Sequence, residues 1–183
     1  MGQRLSTVLP MTLVVGYGND LRSDDAAGVR AAGLLAEHHP EHRTIVVRQL
    51  TPELAADVAM ADRVVFLDAY PAEKDGASLR VERVREDGEA HESALAHHCD
   101  PASLLRLSRY LFGTAPEAWV VGIPAFSFDV GETTSPATSH WIDEAVGLIE
   151  GSAFFSGLRK KGKLPRGRHS GEGRNPEKRP EAE

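Results

Sequence analysis

Apolar residues fall along this chain in short unbroken blocks, separated by stretches with helical spacing. Residues 12–18 (TLVVGYG) are branched, continuous and stopped by glycine, the pattern of a strand buried on both faces. The pattern returns at 43–50 (RTIVVRQL), 63–70 (RVVFLDAY) and 117–125 (EAWVVGIPA), whereas 78–84 (SLRVERV) alternates apolar and polar, as an edge strand does. Between the strands, residues 24–39 set Val29, Ala32, Gly33 and Leu34-Leu35 on one helical face, with Ser23 as N-cap and Asp24 and Asp25 in the first turn. Residues 51–61 read as a helix opened by Thr51 and Pro52, 100–113 as a capped helix stopped by Gly113, and 135–151 as a closing helix. Strands alternating with helices predict one three-layer α/β domain: a mainly parallel sheet of about five strands with helices on both faces.

The periodicity starts at residue 12 and stops at Gly151. Residues 1–11 are an N-terminal lead, 12–151 the domain, and 152–183 a Gly-, Pro- and charge-rich tail with little to bury, expected to be disordered. The net charge of −6 hides an imbalance. The tail holds nine Lys or Arg against four Glu, so it carries +5 and leaves −11 on residues 1–151. An acidic body argues against nucleic acid as a partner of the folded part. The apolar runs are too short to cross a bilayer, the start lacks a secretory apolar segment, and the single cysteine, Cys99, fits a reducing compartment. These features together predict a cytoplasmic protein, and nothing in them requires more than a monomer.

Ligands of open α/β sheets bind beyond the carboxyl ends of the strands. Three stretches carry polar groups there: Gly16, Gly18, Asn19 and the Asp24-Asp25 pair after the first strand, Asp68 on the third, and His97, His98 and Cys99 before the helix at 100. A dinucleotide fingerprint is incomplete, because Leu21 follows where a third glycine belongs and no acid ends the second strand. Acids at a helix N-terminus also repel a pyrophosphate, so no nucleotide cofactor is expected. Carboxylate and imidazole together suit zinc or nickel. Each group also has a plainer role. Asp24 and Asp25 can stabilise a helix N-terminus, Asp68 can cap a turn, the histidines can be solvated, Asn19 can close its turn, and Cys99 can fill apolar space.

The combination GYGNDLRSDDAAG, VVFLDAY, HHCDPASLLRLSRYLFG and VVGIPAF followed by SP resembles the hydrogenase maturation proteases over about residues 12–151. These endopeptidases trim the C-terminal extension from the large-subunit precursor of nickel–iron hydrogenases. The match includes Gly16, Gly18, Asn19, Leu21, Asp24, Asp25, Gly28, Asp68, His98, Ser135 and Pro136, while Ala26 stands where glycine is common. The resemblance implies that Asp25, Asp68 and His98 are both the metal ligands and the catalytic set, with His97 as the alternative to His98. It implies that the metal is nickel, brought by the precursor rather than held as a resident cofactor, and that Asp24 supports the turn. Two other functions fit the same residues less directly: a non-catalytic nickel-binding maturation chaperone, and a nucleotide-binding α/β enzyme.

Overall fold

The computed structural model describes residues 10–86 and 99–151. The five apolar blocks become β1 (Thr12–Tyr17), β2 (Arg43–Val47), β3 (Arg63–Pro71), β4 (Arg80–Val84) and β5 (Glu117–Ala125). They form one sheet in the order β2-β1-β3-β5-β4. Only β4 runs antiparallel to its neighbour, β5, and it is an edge strand, as its alternating pattern predicts. Four helices connect them: α1 (Ala27–His38), α2 (Ala55–Met60), α3 (Pro101–Phe112) and α4 (Pro136–Glu150).

Strand parity sorts the core into two halves. Val14, Val65, Leu67, Val121 and Ile123 meet Leu35 of α1 and Ile142 and Ile149 of α4 on one face. Leu13, Val15, Val64 and Phe66 meet Val58 of α2 and Leu104 and Leu105 of α3 on the other. Each such side chain, fully removed from water, contributes about 1.5–3 kcal/mol, so both layers are needed to hold the sheet.

The helix starts differ from expectation in two places. The helix expected from Thr51 and Pro52 opens as a 3-10 turn, Pro52–Leu54, and α2 begins at Ala55. Ser23 does not cap the first helix; Ser23–Ala26 forms a 3-10 turn, and α1 begins at Ala27 without a side-chain cap. The other caps follow the sequence: Asp100 accepts from Ser103 N at 2.6 Å, Gly113 closes α3 at φ 74°, and Ser135 accepts from Thr138 N at 3.2 Å. The strand containing Asp68, expected over 63–70, runs one residue further, to Pro71. From β1 the chain moves outward to β2, then crosses to β3 on the other side of β1. The sheet's switch point therefore lies between the carboxyl ends of β1 and β3.

Candidate functional site

Two glycines bring the polar groups to that switch point. Gly18 leaves β1 at φ 143°, in a region where a side chain is strained, and a Cβ there would collide with the Asp25 carbonyl. Gly28, in the first turn of α1, lies against both strands. A Cβ on it would strike the Leu67 carbonyl oxygen and sit 2.7 Å from the Tyr17 oxygen. Without that close approach α1 would stand off the sheet, taking Asp25, three residues earlier, away from Asp68.

Asp24 and Asp25 then part company. Asp24 is fully buried, at 0% exposure. Its carboxylate accepts from Phe126 N and Ser127 N at 2.9 Å each, from Ser135 N at 2.6 Å and from Ser135 Oγ at 2.8 Å. Burial alone would raise its pKa, but the Ser135 and Phe126 bonds outweigh burial and hold it below the usual carboxylate range. Neighbouring backbone bonds finish the clasp between the post-β1 loop and the β5–α4 loop: Ser23 N to Gly131 O at 2.6 Å, Asp24 N to Ser127 O at 3.1 Å, and Gly131 N to Leu21 O at 3.0 Å. Ser23 takes φ 46° to make this connection, a left-handed conformation costing about 1 kcal/mol or more, and its Oγ donates to Asp129 O at 3.0 Å. Asp24 is thus a structural anchor, bound to a loop that follows β5 rather than serving its own helix.

Asp25 remains available. It accepts one bond, from Asn19 N at 2.9 Å, and the Asn19 side chain closes its own turn by accepting from Leu21 N at 3.0 Å. Asp68 lies on the α2–α3 side of the sheet, directly beyond the last β1–β3 pair, Gly16↔Leu67. Burial raises its pKa to about 6; the Tyr17 hydroxyl and Ala69 N–H oppose that rise by donating to the carboxylate, while the Asp25 charge adds to it. The mutual repulsion shows that the two acids share one electrostatic environment. Tyr17, the last residue of β1, is a site residue that the sequence pattern did not single out. Its phenol is held protonated by burial and by the Asp68 charge, so it is a hydrogen-bond donor at neutral pH.

The third candidate ligand, His98, and its alternative, His97, lie outside the described residues. The chain resumes at Cys99, which packs into the α2–α3 core. Asp100 is close enough for its charge to raise the Tyr17 pKa further. The Cys99 thiol is pushed up by burial and then by Asp100 and Glu53, the opposite of an activated nucleophile. Among the described residues no three His, Cys, Asp or Glu converge as metal ligands. A concavity of about 570 Å³ between Arg83, Val84, Leu105 and Pro116 lies at the other end of the sheet. It contains none of these groups.

Fold and site together define a three-layer α/β protein with an acid pair at the switch point of its sheet. Solved structures that share this fold include the [NiFe] hydrogenase maturation protease HybD from Thermococcus kodakarensis, 24% identical over 76% of this chain and 97% of that one, with a TM-score of 0.59. The hydrogenase maturating endopeptidase HybD from E. coli is 22% identical over 76% of this chain and 89% of its own, with a TM-score of 0.55. The [NiFe] hydrogenase maturation protease HycI from Thermococcus kodakarensis KOD1 is 21% identical over 76% and 90%, with a TM-score of 0.59. No protein-family model and no curated protein matches the chain.

Proposed function

We propose that this chain is an endopeptidase of the hydrogenase maturation type, removing the C-terminal extension from a nickel-loaded hydrogenase large-subunit precursor. The observation that carries the reading is the sorting of the acid pair. Asp24 is consumed by the clasp, while Asp25 is left facing the switch point beside Asp68, on the fold shared with structures named as maturation proteases.

In this reading the nickel belongs to the substrate. Asp25, Asp68 and His98 engage it, which holds the scissile peptide against the sheet edge, and positioning alone supplies a large part of a rate enhancement. Metal bound there polarises the scissile carbonyl or lowers the pKa of a water. Asp25, with one oxygen steadied by Asn19 N, is the general base. Tyr17 and Ala69 N–H fix the rotamer of Asp68 by donating to it. Support for His98 comes from its sequence neighbours, since Cys99 and Asp100 reach the same face.

The test uses nickel-loaded and nickel-free precursor mixed with the protein, followed by mass spectrometry of the large subunit. The reading expects loss of the extension from the loaded precursor alone, and abolished cleavage by Asp25→Asn and His98→Ala. Cleavage by both variants at the wild-type rate overturns the triad. Binding without any change in mass identifies a chaperone instead.

A further inference from the structure

The row of residues that contains Asp68 continues across the sheet. Pairing sets Asp68 opposite Gly122 of β5, and Gly122 opposite Arg80 of β4. All three project on the α2–α3 face, the side on which Phe66, Val120 and Val84 reach that core. The row therefore has an acid at one end and an arginine at the other, their backbones two strand spacings or about 10 Å apart.

Gly122 leaves room between them, and Tyr70 fills it. A Cβ at Gly122 would lie 3.2 Å from Tyr70 Cδ1 and 3.4 Å from Arg80 Cβ. The Tyr70 hydroxyl donates to Ser78 O at 2.6 Å, which fixes the ring. The Arg80 guanidinium then sits 3.6 Å from the ring centroid. Stacking holds the guanidinium by its face, which leaves the N–H edges outside that contact. Most other arginines of the domain are engaged elsewhere: Arg43, Arg48, Arg83 and Arg109 pair with acids, Arg22 and Arg30 donate to loop carbonyls, and Arg106 donates to Glu86 O and Ser103 Oγ. Among the described residues Arg80 contacts no acid, and it is exposed.

A solvated edge arginine needs no function, but this one is oriented by Tyr70, without an acid partner among the described residues, and in register with Asp68. Along an edge that also carries Asp25, Asp68 and Asp100, a negative group on a bound peptide is repelled except near a fixed cation. We infer that Arg80, stacked on Tyr70, is a subsite that binds a carboxylate of the peptide substrate and thereby sets which bond lies at Asp68. The inference rests on the peptidase reading above. The carboxylate is an acidic side chain of the extension or its C-terminus; both offer the same two oxygens to a guanidinium fork.

The experiment measures cleavage and, by fluorescence anisotropy, binding of nickel-loaded large-subunit precursor by the full chain and its Arg80→Ala, Arg80→Lys and Arg80→Glu variants. Arg80→Ala is expected to raise KM about tenfold, the scale of one charge-assisted contact, with kcat within about twofold. Arg80→Lys recovers part of that loss and Arg80→Glu deepens it, and thermal unfolding stays at the wild-type value. Precursors whose extension has each acid changed to its amide, or whose C-terminus is amidated, identify the source. The responsible change raises KM for wild type and leaves Arg80→Ala unaffected. An unchanged KM in Arg80→Ala, or a wild type indifferent to every carboxylate change, overturns the subsite while leaving the peptidase reading intact. Precursor bound but uncut by wild type overturns the peptidase reading, and the anisotropy of the same variants then decides Arg80. A wild type that neither cuts nor binds overturns both.

Discussion

Replacing Asp24 by alanine tests whether the first acid of the pair is catalytic machinery or a structural anchor. Its carboxylate satisfies three backbone donors, Phe126 N, Ser127 N and Ser135 N, in a site with no solvent access. Ser135 Oγ can turn to another acceptor, but the three amides cannot. Each stranded donor costs about 1–3 kcal/mol. Water entering the vacated space recovers part of that, and the lost desolvation of the charge recovers more. The net expectation is a loss of about 4 kcal/mol, the lower half of the cost of three stranded donors. Asp24→Asn keeps the shape but turns an N–H toward one of the three amides, so a loss of about 2–4 kcal/mol is expected. Urea denaturation followed by fluorescence of Trp119 and Trp141 reads both values. The pH dependence adds a second check. The folded-state pKa of Asp24 is lowered, so its contribution is fully present above the ordinary carboxylate pKa of about 4 and is lost as pH falls through the folded value. The gap between wild type and Asp24→Ala should therefore narrow in acid. A loss under about 1 kcal/mol at pH 7, or a gap that is the same at pH 3, refutes the anchor role.

Asp68→Asn should have the opposite effect on stability. A folded-state pKa of about 6 means the folded chain binds that proton more tightly than the unfolded one, so wild-type stability falls as pH rises from about 4 to 6. The full shift corresponds to about 3 kcal/mol; after discounting for partial exposure, the amide is expected to stabilise the protein by about 1–2 kcal/mol at pH 7 and by nothing at pH 4, while abolishing cleavage. Calorimetry at the two pH values checks this, and a variant less stable than wild type at pH 7 refutes it. Tyr17→Phe keeps the ring packed but removes the donor to Asp68. Stability should stay within about 1 kcal/mol while kcat falls and KM holds, and a wild-type kcat would remove Tyr17 from the site. Gly28→Ala forces a Cβ into the Leu67 carbonyl and should cost about 3 kcal/mol or more in denaturant unfolding; a near-neutral result would mean that α1 can move off the sheet without consequence.

The strands were legible because each is a short branched run bounded by turn residues, and β4 could be told apart because an edge strand alternates. The start of the first helix was misread for a physical reason. Ser and Asp before an apolar face look like a cap, and only the tertiary structure reveals that Asp24 receives its bonds from residues more than a hundred positions later. The division of labour between Asp24 and Asp25 was implied by family resemblance, not by the dipeptide itself. Tyr17 and Arg80 could not be recognised in advance, because their significance lies in the sheet: one donates to Asp68 just beyond the last β1–β3 pair, the other lies two strands away in the same row.

The clasp around Asp24 also sets the order in which the molecule can become competent during synthesis. Residues 12–28 leave the ribosome early, yet the amides that hold the Asp24 carboxylate lie 102 to 111 positions downstream. Until Ser135 has emerged and β5 has joined β3, the loop bearing Asp25 has no fixed course. Contacts at such separation form late and slowly. A nascent or truncated chain that stops before residue 126 carries all five strands but none of the three amides, so nothing yet orders its acid pair. The same bonds that place the site thus keep it latent until the domain is complete.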